Sequence, residues 1–481
     1  MDLELEIEHL LHNRFKINSL YPYQKLVIHS ILEKGLLKQS NYYKEQLIIF
    51  PTGSGKSLCF MLPSMLFENL TVAVYPLLSL MHDQQRRLEK LNWPCEVLKG
   101  GLSKKEKESL FNNLKSKKTK FLITNVESLN NEEVINTLKE IPISMFVVDE
   151  AHTVTQWGES FRPAYLLLKS IISQLNIDQV VAFTATASPK VITKINELLF
   201  PLGKAHTVYA NPDRTNIYYQ VIPTLCKLHD LVNLIGDENK LPMVVFCNSR
   251  DKCSYVASKL QQRLMNIKID YYHAKLEKEE KQRVEKWFFN ETKGVLVATK
   301  AYGLGVDKQN IRCVVHYDLP TDIESFLQES GRGARDHNLA LSITLLSPYS
   351  GKNSDPKFVE VIKNNSNCKR EALLDLLGFK IDQCSGCDVC DETTIKIPDG
   401  FNEIYKLIYF NPFKYNLSSC ARCLKGIKEN SEDYYNPYFG TLNRWNLLDI
   451  ESSIRALLYK KVIYLSFNKK LYVNYFKKLI C

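Results

Sequence analysis

The chain has 481 residues, 45% of them hydrophobic and 24% charged, the balance of a soluble globular protein too long for a single core. An excess of 63 Lys and Arg over 53 Asp and Glu leaves a net charge of +10, a mild bias toward a polyanionic partner. No apolar run reaches the roughly 18 residues a membrane span needs, and the acidic, amphipathic start MDLELEIEHLL lacks the pattern of a secretory signal. No membrane partner is expected, and the predicted compartment is the cytoplasm, at the nucleoid if the cell is bacterial.

Thirteen cysteines without a secretory signal point to reduced thiols or metal ligands rather than disulfides. Cys59, Cys95, Cys226, Cys247, Cys253 and Cys313 lie in apolar or strand-like segments and read as small core residues.

Residues 1–45 read as helices. Gln24 precedes an apolar helical pattern at Val27, Ile28, Ile31 and Leu32, and its side-chain amide can donate to and accept from the edge of adenine. The apolar strand Leu47–Phe50 runs into PTGSGKS and a helical stretch. Here Gly53, Ser54 and Gly55 let backbone N–H groups approach phosphate oxygens, with the helix start behind them. Lys56 would reach the β- and γ-phosphates and Ser57 would place its hydroxyl on Mg²⁺. The strict phosphate-loop pattern has Gly at position 50, where this chain has Phe.

Strand-like and helical segments then alternate through TVAVYP, FLITN, FVVDE and VVAFTATAS, which specifies a parallel sheet covered on both faces. The run Met145–Val148 ends in Asp149 and Glu150, two carboxylates at the end of a strand where such sheets bind ligands. One can hold Mg²⁺ and the other can orient a water, so a magnesium-dependent nucleoside triphosphatase is expected. His152, Trp157, Phe161 and Arg162 follow at once, a concentration of aromatic and cationic groups suited to sensing a second ligand. Thr184 and Thr186 stand at another strand end and could relay the state of the triphosphate.

After a linker over residues 200–216 a second α/β series begins, with no second phosphate loop. It offers QESGRGARD, with Gln328, Arg332 and Arg335. On a helix the two arginines would share a face and could reach one anion. Arginines aimed at a γ-phosphate contribute roughly 10³ to 10⁵ in rate. ATP bound between two such domains would close and reopen them, which describes a motor.

These motifs in this order resemble the RecQ family of superfamily 2 DNA helicases. The resemblance runs from about Phe15 to Asp391 and is carried by Gln24, PTGSGKS, YPLLSLMHDQ, DEAH with QWGESFRP, FTATAS, FCNSR, YYHAKL, ATKAYGLGVDK and QESGRGARD. It implies that Trp157, Phe161 and Arg162 couple DNA contact to ATP hydrolysis. It also implies 3′ to 5′ translocation on single-stranded DNA and unwinding of duplex DNA in repair or recombination. Two departures stand out: Leu20, Tyr21 and Ile17 occupy positions where the family has Phe-Arg and an aromatic, and the last motif reads Gly-Arg-Gly-Ala-Arg where the family favours Gly-Arg-Ala-Gly-Arg. Arginine spacing survives the second change, so no loss is expected from it.

Past Asp355 the α/β pattern stops. Cys368 on a predicted helix, with Cys384, Cys387 and Cys390 in two overlapping C-x₂-C steps, offers four thiolates for a closed Zn²⁺ site, or for an iron–sulfur cluster. The family resemblance implies zinc at these four cysteines. Cys420 and Cys423 lack a partner pair and read as core or surface thiols. The last stretch reads as a helix and two strands turning at Asn468-Lys469-Lys470, faintly similar to the family's winged helix, whose basic wing could grip duplex phosphates. No further accessory module is expected beyond it.

The predicted fold is therefore α/β, two RecA-like parallel-sheet domains over 1–207 and 208–348, a helical zinc-binding module over 349–398 and a winged-helix-like tail over 399–481. An ATP-dependent DNA helicase is the expected activity. A non-catalytic DNA-binding scaffold and an RNA-dependent ATPase are the alternatives.

Overall fold

The computed structural model describes residues 3–37, 43–51, 53–154, 163–302, 308–428 and 435–474. The chain forms two compact units, Met1–Asp213 with Leu377–Phe379, and Arg214–Leu376 with Lys380–Cys481.

The first unit is built on seven parallel strands: β1 (Glu45–Ile49), β2 (Leu70–Val74), β3 (Glu96–Leu98), β4 (Phe121–Thr124), β5 (Ile143–Val148), β6 (Val180–Thr184) and β7 (His206–Tyr209). Their order across the sheet is β3-β4-β2-β5-β6-β1-β7. Every residue of β1, β2, β4, β5 and β6 is buried, as expected of strands covered on both faces. Alternate side chains feed two separate cores. Leu47, Val72, Phe146 and Ala182 enter one, and Ile48, Ala73, Val147 and Phe183 the other. Because β5, β6 and β1 are neighbours in register, the segments leaving their carboxyl ends emerge side by side. Those segments are DEAH, TATAS and PTGSGKS.

The second unit has a six-stranded parallel sheet: β8 (Ile217–Pro223), β9 (Met243–Phe246), β10 (Ile269–Tyr272), β11 (Val295–Ala298), β12 (Cys313–His316) and β13 (Ala340–Leu346), in the order β10-β11-β9-β12-β13-β8. Short helices Pro356–Lys363 and Lys369–Asp375 lead into the cysteine-rich loop. Helices Phe401–Phe410, Leu417–Lys425 and Leu447–Tyr459 follow, and then the antiparallel hairpin of β14 (Tyr464–Leu465) and β15 (Leu471–Tyr472), the element order of a small winged helix.

Two expected boundaries need correction. The one at 207/208 falls inside β7, which pairs with β1 from Gln46↔His206 to Ile49↔Tyr209, so the division comes at Asp213/Arg214. The tail is also not a separate body. Ile404, Leu407, Ile450, Ile454 and Leu457 share one continuous core with Val245, Val297 and Val315 of the second sheet and with Leu231 and Val256. Cys420 and Cys423 are buried in that same core. Strands β3, β7, β8 and β13 were not anticipated. Among the described residues, no helix is long and apolar enough to cross a membrane.

Candidate nucleotide, arginine and cysteine sites

In the first unit, Gly53 (φ +85°) and Gly55 (φ +78°) both adopt the left-handed conformation that a residue with a Cβ reaches only at a cost. A Cβ on Gly55 would lie 2.5 Å from Gln24 Nε2, so any larger residue would displace the Gln24 amide. The helix Lys56–Leu66 starts directly behind, with Gly55 as its N-cap, and its unsatisfied N–H groups face the loop. Lys56 Nζ donates to the carbonyl of Phe50 at 3.3 Å, so the residue that departs from the strict motif contributes through its backbone.

Gln24 is buried at the same loop. Its Nε2 donates to Ser54 O at 2.8 Å, and its Oε1 accepts from Tyr21 N at 2.9 Å. The amide assigned to adenine thus braces the phosphate loop. Beside it the rings of Tyr21 and Tyr23 stack with centroids 5.4 Å apart, and Tyr21 stays exposed. Ser57 Oγ accepts from Gln84 Nε2 at 3.1 Å and from Arg87 Nη1 at 3.4 Å. Sequence reading passed over both residues. The signal was present on the helix Leu78–Lys90, where Gln84 occupies the buried stripe with Met81 and Leu88.

Asp149 and Glu150 leave the carboxyl end of β5. Glu150 has φ +52°, unusual for a side chain of its size, and its N–H donates to Asp149 Oδ1 at 2.9 Å. Burial and the neighbouring charge of Glu150 push the Asp149 carboxyl up to about 7, while Lys56 and Arg87 pull the other way. A buried carboxyl short of positive charge, in the same unit as the Ser57 hydroxyl, is a donor set that fits a hard divalent cation such as Mg²⁺. His152 lies between the acidic pair and β6, with Nδ1 3.4 Å from Glu150 Oε2 and 3.0 Å from Thr184 Oγ1. Thr184 Oγ1 in turn donates to Thr186 O at 3.3 Å. The strand-end threonines are therefore physically joined to Glu150. Trp157, Phe161 and Arg162 lie outside the described residues.

Gln328, Arg332 and Arg335 belong to the second unit. Gln328 is on the helix Ile323–Ser330, but that helix stops before the arginines. Arg332 and Arg335 occupy the turn beyond its cap Gly331, so the expectation that they share a helical face is corrected. They still act on a common neighbour. Burial pushes the Tyr302 hydroxyl up, and the charges of Arg332 and Arg335 both oppose that shift. The helix end is pinned from below, because His316 on β12 lies 2.9 Å from Glu329 Oε2 and 3.1 Å from Ser330 Oγ.

The four cysteines converge. The Sγ atoms of Cys368, Cys384, Cys387 and Cys390 all lie within 4.8 Å of one another. A tetrahedron of thiolates about 2.3 Å from a central Zn²⁺ has sulfurs about 3.8 Å apart. Cys368 and Cys387 are at 4.0 Å. An iron–sulfur cluster spreads its thiolates over separate irons and needs them farther apart, so this geometry disfavours that alternative. Cys368 is the N-cap of its helix rather than a residue within it. Backbone N–H groups of Glu371, Gly386 and Cys390 donate to Cys368, Cys384 and Cys387 Sγ, each at 3.4 Å, the outer-shell support that thiolate ligands need. The loop is fastened to β8 by Asp388, whose Oδ2 accepts from Val221 N at 2.8 Å and whose N–H donates to Tyr219 O at 3.0 Å.

Residues 21–195 match the DEAD/DEAH box helicase family, and residues 226–337 match the helicase conserved C-terminal domain. The chain is 30% identical over 422 residues to the ATP-dependent DNA helicase RecQ of Pasteurella multocida, covering 82% of this chain and 66% of that protein. It is 32% identical over 347 residues to a probable ATP-dependent DNA helicase, RecS, of Bacillus subtilis, covering 71% and 67%. The chain thus spans about two thirds of the length of these two relatives. In fold it is similar to S. cerevisiae Dbp5 bound to RNA and ADP BeF3, with a TM-score of 0.59 at 17% identity over 84% of this chain and 96% of that one. The first family match contains the phosphate loop and acidic pair, the second contains the arginine turn, and the similarity to RecS extends over two thirds of that protein. This chain therefore belongs to the RecQ family of DNA helicases.

Proposed function

We propose that this protein is an ATP-dependent DNA helicase that translocates 3′ to 5′ on single-stranded DNA and unwinds duplexes in repair or recombination. The observation that carries this reading is the set around the first sheet: the phosphate loop and the acidic pair leave neighbouring strand ends, and Asp149, Glu150, His152 and Thr184 are linked to one another through short polar contacts. In this reading the N–H groups of Gly53, Ser54 and Gly55, with Lys56, bind the phosphates, and Ser57 and Asp149 hold the metal. Magnesium, when bound, neutralises phosphate charge. Glu150 orients the attacking water and takes up its proton, and His152 carries the state of Glu150 to Thr184. Arg332 and Arg335, preceded by Gln328, stabilise charge in the transition state. Gln24 exchanges its loop partners for adenine, while Trp157, Phe161 and Arg162 report DNA occupancy. Zn²⁺ at the four cysteines is structural, since four thiolates leave no open position for chemistry.

The test is ATP hydrolysis by wild type and Glu150→Gln without nucleic acid, with single-stranded DNA and with RNA. It is followed by strand displacement on duplexes with a 3′ or a 5′ single-stranded tail. Stimulation by DNA, loss in the variant and displacement of 3′-tailed substrates are expected. Absence of hydrolysis under every condition would overturn the reading in favour of a scaffold. Equal or greater stimulation by RNA would reassign the substrate.

A further inference from the structure

The turn that carries the two arginines contains an irregular residue. Ala334, between Arg332 and Arg335, has φ +53°, a left-handed conformation that glycine enters readily and a residue with a Cβ does not. The family favours glycine at this position, whereas this chain has Ala334 after Gly333. Something must hold the peptide in place, and the donors come from the first residues of the second unit. Arg214 Nη2 donates to Ala334 O at 2.8 Å and to Gly333 O at 3.4 Å. Asn216 Nδ2 donates to the same Ala334 O at 2.9 Å and to Asn338 O at 3.0 Å. Arg214 Nε also donates to Asn216 Oδ1 at 3.3 Å, so the two side chains form one clamp on the Gly333 and Ala334 carbonyls between the arginines.

The clamp is itself anchored. Arg370, two residues after Cys368, is fully buried and donates to Arg214 O at 3.1 Å, to Ile217 O, and to Gly386 O at 3.3 Å, within the loop between Cys384 and Cys387. Its guanidinium lies 5.0 Å from the centroid of the Tyr219 ring. A continuous line of charge-assisted hydrogen bonds therefore runs from the cysteine loop through Arg370 and Arg214 to the arginine turn. Burial lowers the Arg214 guanidinium from its ordinary value, and the charge of Arg335 acts in the same direction.

We infer that Arg214 is a positioning residue for ATP turnover: it fixes the carbonyls of Gly333 and Ala334, and hence the aim of Arg332 and Arg335, while Arg370 ties that clamp to the cysteine loop. This rests on the proposed role of the two arginines in hydrolysis. The clamp matters because misplacing a charge-stabilising group by about 1 Å costs on the order of 100-fold in rate. Loss of Arg214 should therefore change kcat and spare binding.

The experiment measures DNA-stimulated kcat and KM for ATP, affinity for single-stranded DNA without nucleotide, and melting temperature of the full chain. The variants are Arg214→Ala, Arg214→Lys, Asn216→Ala, Arg335→Ala and Arg214→Ala/Arg335→Ala. Arg214→Ala should lower kcat at least about tenfold, with KM and DNA affinity within about twofold of wild type. Arg214→Lys, which retains one donor for Ala334 O, should recover part of the loss. The double variant should lose clearly less than the product of the two single losses, the non-additivity expected of residues that act through one another. If Arg214→Ala does not fold, Asn216→Ala removes the other donor to the same carbonyl and should show the same split between kcat and KM. If Arg335→Ala keeps wild-type kcat, the assignment of the arginines fails. If Arg335→Ala is slow but the clamp variants are not, or if the losses multiply in the double variant, the positioning role is overturned.

Discussion

Replacing Arg263 by alanine tests whether the C-terminal helices are an integral part of the second unit. Arg263 ends the helix Arg250–Arg263, and its two terminal nitrogens meet both carboxylate oxygens of Asp449 at 2.6 and 2.9 Å. Asp449 is 3% exposed and stands in the first turn of the helix Leu447–Tyr459. Removing one partner of such a pair strands the other charge, at a cost of about 3–5 kcal/mol. Asp449 keeps the favourable field of its own helix start, and water can reach the vacated Arg263 position, so the low end, about 3 kcal/mol, applies. At about 2–4 °C per kcal/mol for a unit of this size, melting should fall by about 6–12 °C. Calorimetry on the full chain reads this directly. The companion variant Arg263→Met/Asp449→Leu keeps the volume and removes both charges, and it should return to within about 1 kcal/mol of wild type. A melting point for Arg263→Ala within about 2 °C of wild type would refute the reasoning, as would a double variant as unstable as the single one.

Three further outcomes are expected. Metal analysis of purified protein should find about one zinc per chain, lost in Cys387→Ser together with several degrees of melting temperature but retained in Lys56→Ala; iron with visible absorption would refute zinc. Burial pushes the Asp230 carboxyl up from 3.8 to about 6, with Asp399 and Asp449 adding to the effect and His229 opposing it. A raised carboxyl contributes stability below about pH 4 that is lost as pH rises through about 6, so Asp230→Asn should be more stable than wild type by about 2–3 kcal/mol near pH 7, and a difference that did not shrink toward pH 4 would refute this. Thr184→Val removes the hydroxyl that meets His152 and should lower DNA-stimulated kcat by about tenfold or more with KM for ATP little changed, whereas wild-type turnover would show that this contact carries no signal.

Both parallel sheets were readable from the chain because buried parallel strands are apolar runs ended by turn residues, as in Leu47–Ile49 followed by PTGSGKS and Met145–Val148 followed by DEAH. Two of the strands missed were of other kinds. β3 has three residues, and β8 alternates buried and half-buried positions with Tyr218 and Gln220 among them, so neither shows the continuous apolar run. The arginine turn was misread as helix because spacing of three fits a helix as well as a turn. Only the cap at Gly331 and the left-handed Ala334 separate the two.

By itself the sequence determined the chemistry: which loop can cradle phosphates, which carboxylates stand at a strand end, which cysteines can converge on one ion. The first two are local properties, set by residue type and by spacing along one element, and the cysteines declare themselves by residue type and by the C-x₂-C spacing of three of the four. The tertiary structure decided what each group touches. Gln24 reaches the phosphate loop, Gln84 and Arg87 reach Ser57, Arg214 reaches the arginine turn, and the tail joins the core of the second sheet. These contacts join residues far apart in the chain. An apolar helical stripe or an arginine in a linker states that a partner is needed, and only packing selects the partner.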